Sequence, residues 1–404
     1  MTAGALLGPR VFLFASNVRA KYFEDCLKAL MLPRGLVLHF RYRRDWIQPE
    51  LQTQIETQQI VKREVAICFL KQRVSGPNAF EAVLNRPLRS GHIVDAFFRG
   101  PSAHIYFAVT GYPIASELHV IAEAADAARA KHADRPAGRP FVVETDGLWR
   151  NQFTTDVTDD DSAFAGVVDS FQEDDLEVIS DDGTRMVAVD PLFWRIDGLH
   201  TRSNWWDTKA GPITMDPTPI AAFTASQRNT GYVVTRDIPI ETRVQFYQPA
   251  FSRLHTAGMD IVATTDSKHF SNPEEDRIPI QSGYDEGSFV LLPVRTDRAW
   301  LSRISICPML NDTYSPVRRP VFASFEAWVD ARPAVSSVSR VISAVGTNLA
   351  TMSLAIASLV VSVVAKASPN APLPSWAIPV LVILTMGALG VLVWNALVKI
   401  RVGE

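Results

Sequence analysis

From Gly35 to Ile47 the chain alternates. Leu36, Leu38, Phe40 and Tyr42 fall on one side, and Val37, His39, Arg41 and Arg43 on the other. A period of two with one apolar side predicts a β-strand that buries one face and presents the other. Val11 to Ala15, Glu64 to Leu70 and Ala103 to Thr110 are apolar runs of strand length. Helical spacing appears twice. Val18, Tyr22, Cys26, Leu27 and Leu30 share one side of Val18 to Leu30. Leu118, Ile121, Ala125 and Ala128 do the same between Ser116 and His132, with Ser116 placed as N-cap. Leu51 to Lys62 reads as a short helix and Arg86 to His92 as a loop. Residues 1–133 are therefore expected to form a mixed α/β domain.

Asp134 to Pro140 holds two prolines and a glycine without periodicity, which predicts a linker over 134–140. Residues 141–330 read as a β-rich domain, a sandwich or open barrel. Glu177 to Ser180 and Arg185 to Val189 flank an Asp182-Gly183 turn, a hairpin signal. Val244 and Phe246, then Met259, Ile261 and Ala263, then Ile304 and Ile306 alternate with their neighbours. A juxtamembrane linker is expected over 331–340.

Two charge-free runs close the chain. Residues 376–398 contain twelve Leu, Ile or Val. At the centre of a membrane helix these favour insertion by roughly 4–7 kcal/mol. Trp376 and Trp394 lie 18 residues apart, about 27 Å of helix, which suits two membrane interfaces. Residues 341–365 are softer. Ser343, Gly346, Ala350, Ser353 and Ala357 recur at spacings of three and four, and Gly387 and Gly390 offer a partner face. The Pro-rich turn 366–375 predicts an antiparallel pair. Arg332 and Arg340 before the pair, with Lys399 and Arg401 in the tail 399–404, outnumber Lys366 in the turn. The expectation is a multi-pass inner-membrane hairpin with both termini cytoplasmic.

Charge is divided unevenly. Residues 1–140 carry 19 Lys+Arg against 12 Asp+Glu, residues 141–330 carry 16 against 30, and residues 331–404 carry 5 against 1. Such jumps favour separate modules, the first basic. Cys26, Cys68 and Cys307 are too few and too scattered for a disulfide framework or a zinc site. Met1 to Pro9 lacks the basic start and apolar stretch of a signal peptide.

The candidate chemistry lies in the first module. His39, Arg41 and Arg43 project from one strand face, with Arg44 and Trp46 beside them. Guanidinium forks pair with phosphate oxygens and rings stack on bases. Arg86, Arg89 and His92 extend the patch if their strand lies alongside. The anionic ligand so recognised is a nucleotide, a nucleic acid or a lipid headgroup. The acidic run Asp156 to Asp161 lacks the ligand spacing and glycine of a calcium loop. His255, His269, Asp260 and Asp266 have no enforced metal geometry. No Walker loop, dinucleotide fingerprint or nucleophile elbow occurs, so no cofactor and no metal is expected.

The fold expected from these features is a multidomain α+β membrane protein: a mixed α/β N-terminal domain, a β-rich middle domain and a C-terminal transmembrane hairpin. The function expected is a non-enzymatic, membrane-anchored binding or sensor protein, with the bilayer, an anionic small molecule or nucleic acid, and a second copy of the chain as partners. A membrane-bound hydrolase or nucleotide-processing enzyme and a structural or assembly factor are the alternatives.

Overall fold

The computed structural model describes residues 10–16, 20–76, 79–130, 142–144, 153–154, 160–172, 177–179, 186–201, 213–219, 230–236, 238–249, 259–271, 277–280, 284–294, 300–310 and 319–332. The chain divides into two compact units. One comprises Met1–Val234, Ile238–Leu292 and Ser302–Asp330; the other comprises Thr235–Asp237, Pro293–Leu301 and Ala331–Glu404. The candidate site lies in the first.

The elements run β1 (Val11–Ser16), α1 (Ala20–Met31), β2 (Val37–Arg43), α2 (Pro49–Glu56), β3 (Glu64–Gly76), β4 (Ala79–Arg99), β5 (Ser102–Pro113), α3 (Leu118–Ala130), β6 (Val142–Glu144), β7 (Phe153–Thr154) and α4 (Asp160–Asp169). Strands follow almost without break: β8 (Glu177–Ile179), β9 (Met186–Pro191), β10 (Phe193–Thr201), β11 (Ile213–Thr214), β12 (Thr218–Pro219), β13 (Thr230–Thr235), β14 (Ile240–Tyr247), β15 (Met259–Thr264), β16 (Phe270–Ser271), β17 (Arg277–Pro279), β18 (Tyr284–Pro293), β19 (Trp300–Leu310), β20 (Arg319–Val321) and β21 (Phe325–Arg332).

The first sheet has the order β2-β5-β4-β3-β1-β6, with β7 paired to β5. Its two ends meet. Ile47, just past β2, bridges Val142 of β6, and Gln48 N–H donates to Val142 O at 3.1 Å. The sheet is thus curled into a ring stitched at one end. Alternation explains β2: Leu38, Phe40 and Tyr42 are buried while His39, Arg41 and Arg43 are exposed. The buried set packs inward against β5, where Phe40 meets Phe107 edge-on with centroids 5.0 Å apart. β1 has no solvated face; Val11 to Phe14 are wholly buried. Phe12 and Phe14 pack with Val143 and with Ile121, Ala125 and Ala128 of α3. On α1, Phe23, Cys26, Leu27 and Leu30 are buried at helical spacing.

Beyond this ring lie a five-stranded sheet, β11-β10-β14-β18-β16, and a six-stranded one, β12-β13-β21-β19-β15-β17. They approach closely at Gly287. A Cβ there would stand 2.6 Å from Ile278 Cγ2, so only glycine fits. β8, β9 and β20 form a third, small sheet.

Two expectations are corrected. Among the described residues the chain is mostly β-strand with four helices, and none of these helices is long and apolar enough to cross a membrane. The longest, α3, has 13 residues, about 20 Å against a hydrocarbon core of about 30 Å. This overturns the multidomain α+β membrane class with its transmembrane hairpin, and the multi-pass inner-membrane placement with both termini cytoplasmic. The segments 341–365 and 376–398 lie outside the described residues, as do Arg340, Gly346, Ala350, Ser353, Ala357, Trp376, Gly387, Gly390, Trp394, Lys399 and Arg401. The second correction is the Arg86–His92 loop, which is continuous strand within β4. Register shifts beside Pro87 and Gly91 absorb the two breakers. Gly91 is needed there, since a Cβ would stand 2.5 Å from Ala108 O.

Candidate functional site

The outward face of β2, β5 and β4 is a grid set by register. His39 pairs with Tyr106, Arg41 with His104 and Arg43 with Ser102. The same β5 residues pair with Asp95, Phe97 and Arg99 of β4. None of these nine positions is buried. The hairpin fixes the register: Gly100, at φ 60, precedes Pro101, a sequence that fits a type II′ turn. Antiparallel sheets commonly solvate one face. Here seven of the nine carry a ring or a guanidinium group, and Asp95 and Ser102 are the others.

The rings are ordered. His39 Nε2 and His104 Nδ1 are 3.0 Å apart, the ring planes differ by 5°, and the centroids are separated by 5.0 Å. A hydrogen bond in the ring plane at that spacing makes the two imidazoles one flat plate. His39 overlaps Tyr106 at 4.4 Å and 14°, and His104 overlaps Phe97 at 5.1 Å and 2°. Both are offset stacks. Phe97 and Tyr106 lie 6.1 Å apart at 16°. The result is a slab of two layers, histidines on one side and Phe97 with Tyr106 on the other.

The cations differ in commitment. Arg43 grips Asp45 with two bonds of 3.0 Å, and its guanidinium lies 5.6 Å from the Trp46 ring. Arg44 pairs with Glu56, donates to Gln52 Oε1 at 3.2 Å and covers Phe98 at 4.3 Å. Arg41 and Arg99, both exposed, have no ion-pair partner among the described residues. His92 lies on the same face, paired with Ala108 beyond Tyr106. Arg89 does not reach it. It is buried, donates to Leu30 O at 3.3 Å and lies 3.6 Å over Tyr112. Arg86 pairs with Phe69 of β3, further along β4.

A cavity of about 620 Å³ adjoins the grid at the β2 edge. Phe14 and Ala15 of β1 line it, with Lys21, Tyr22, Glu24 and Asp25 of α1, and His39, Arg41, Arg43 and Trp46. Arg44 N–H donates to Pro101 O at 2.8 Å. The even-numbered residues of β2 therefore bond to β5, and the backbone N–H and C=O of His39 and Arg41 point to the open edge. Asp25 sits at the mouth, exposed on one side. Desolvation, opposed by Lys28, pushes its carboxyl up to about 6. Sequence reasoning missed Phe97, Arg99, His104, Tyr106 and Lys21. Alternation marked His104 and Tyr106 as outward neighbours of buried Ile105 and Phe107, but only the pairing order sets them beside His39.

A second polar cluster is enclosed. Arg195 Nε donates to Gln245 Oε1 at 2.6 Å, Asp197 stands 3.4 Å from His200, and His200 Nδ1 is 3.2 Å from Thr214 Oγ1. The His200 bond, with Arg195 nearby, holds the Asp197 carboxyl below the usual range. The adjoining cavity measures about 50 Å³, room for a few waters and not for a substrate. Among the described residues no group of three or more His, Cys, Asp or Glu could hold a metal ion. Compared with protein-family models, curated proteins and solved structures, the chain has no match.

Proposed function

We propose that the chain is a binding protein for an anionic, phosphate-bearing ligand, which seats along the outer face and open edge of β2. One observation carries this reading: His39, Arg41, Arg43 and Trp46 line a single cavity of about 620 Å³ together with Lys21. That volume falls in the range of small-molecule sites. Arg41 supplies a planar fork not engaged by any described carboxylate. On the α1 wall Glu24 and Asp25 outnumber Lys21, so the anion lies on the β2 side. The enclosed Asp197–His200–Thr214 cluster lacks substrate space, and the enzymatic alternative draws no support from it.

The test is calorimetric titration of the full chain with inorganic pyrophosphate and with uridine monophosphate. Saturable binding that weakens about tenfold or more in Arg41→Ala, with an unchanged melting temperature, supports the proposal. Equal binding by Arg41→Ala and the parent sinks it.

A further inference from the structure

The open face carries more than one phosphate site needs. Phe97, His104, Tyr106 and His39 occupy neighbouring positions on three adjacent strands, and all four reach solvent. Leaving so many rings in contact with solvent costs free energy. Arg41 and Arg43 flank the rings on β2 and Arg99 flanks them on β4. The basic positions therefore stand on both sides of the slab, about 10 Å apart at the backbone, and Lys21 continues the basic track into the cavity.

We propose that this face binds single-stranded nucleic acid, with bases stacked on the ring slab and the sugar–phosphate chain held by Arg41 and Arg99. The inference rests on the anionic-ligand reading and narrows it. Every base has a π-face, so a ring slab takes unpaired bases with little regard to sequence. A duplex hides those faces in its own stack. A mononucleotide uses one ring and one cation and leaves the others idle, whereas a chain crossing from β2 to β4 meets a cation on each side of the rings. Charge complementarity selects this occupant: the aromatic rings alone would suit a peptide, but Arg41 and Arg99, without an ion-pair partner among the described residues, call for a repeating anion.

Fluorescence anisotropy of the full chain with labelled twelve-residue oligouridine tests it. Unlabelled duplex of equal length, uridine monophosphate and inorganic phosphate serve as competitors. Phe97→Leu and Tyr106→Leu keep apolar cover and remove the stacking faces. Each is expected to weaken the oligomer about tenfold. Arg41→Ala is expected to weaken it and to lower the salt slope by about one. Arg303→Ala, on β19 and paired with Glu326, is expected to change nothing. Oligomer binding that ignores both ring substitutions overturns the stacking inference and leaves the anion reading standing. So does a duplex, or uridine monophosphate, that competes as well as unlabelled single strand. No binding of oligomer, monophosphate or phosphate overturns both. A leucine variant that melts early is replaced by methionine at the same position, which also lacks the ring, and Phe97→Tyr, which keeps it, is expected to bind like the parent.

Discussion

His39 and His104 share a hydrogen bond between ring nitrogens 3.0 Å apart, within planes that differ by 5°. One nitrogen must donate and the other accept, so the plate exists only while at least one imidazole is neutral there. His39→Phe keeps the stack on Tyr106 and deletes the bond. It is expected to cost about 0.5–1 kcal/mol by urea denaturation. A cost near zero would show that stacking alone holds the plate.

Asp25 supplies a pH signature. Its carboxyl, raised to about 6, binds a proton more readily in the folded chain than in the unfolded one. Its contribution to stability is therefore fully present below the ordinary carboxylate value near 4 and is lost as pH rises through about 6. Asp25→Asn is expected to stabilise the chain at pH 7 relative to the parent, with the difference shrinking towards pH 4. The same protonation removes a negative charge from the cavity wall. Anion binding is expected to tighten in the parent as pH falls from 7 to 5, and less so in Asp25→Asn. Parallel pH profiles for the two proteins would sink this assignment.

Arg41 and Arg43 are not equivalent despite sharing a strand face. Arg43 spends both fork positions on Asp45. Arg43→Ala is expected to weaken ligand only a few-fold, and Arg41→Ala about tenfold. Equal losses in titration would show that the Asp45 pair opens on binding.

Gly287→Ala pushes a methyl group into Ile278. Overpacking of this kind costs about 1–3 kcal/mol. Adding Ile278→Val removes the methyl of Ile278 at its far end and is expected to recover part of that loss in a double-mutant cycle. A second substitution that only adds to the damage would show that the sheets do not meet there.

Phe40→Ala tests the inward face of the ring, where the side chain meets Phe107. The expected cost is about 3–5 kcal/mol, measured by denaturant midpoint. A cost under 1 kcal/mol would mean the interior relaxes freely.

Local pattern carried β2 over Val37–Arg43, where one face is buried and one solvated, although the expected strand ran on to Ile47 and Arg44–Trp46 is a 3-10 turn. It carried α1 and α3 within two residues, although Ser116 lies in a 3-10 turn (Ala115–Glu117) ahead of α3. It failed at Arg86–His92, where Pro87 and Gly91 signal a break and the strand continues through irregular pairing. The acidic run was weighed only as a calcium loop; its last two residues, Asp160 and Asp161, begin α4. Phe97, His104 and Tyr106 lie on one hairpin closed by the local Gly100–Pro101 turn. Setting His39 beside them depends on β5 lying between β2 and β4, a long-range choice that no window reading contains. The charge-free C-terminal runs were read from hydropathy, Trp spacing and flanking charge, and no described helix is long and apolar enough to cross a membrane.

The ring of strands is stitched at Ile47 and Val142, and past that stitch the β2 edge has no described backbone partner. Among the described residues the ring is fastened at this one stretch, Ile47 and Gln48 against Val142 and Glu144. An anion seated along β2 would take up the backbone N–H groups of His39 and Arg41 there, so ligand occupancy and protection of that edge become one event. Slowed amide exchange at His39 and Arg41 would report that event directly, with no change of shape needed elsewhere.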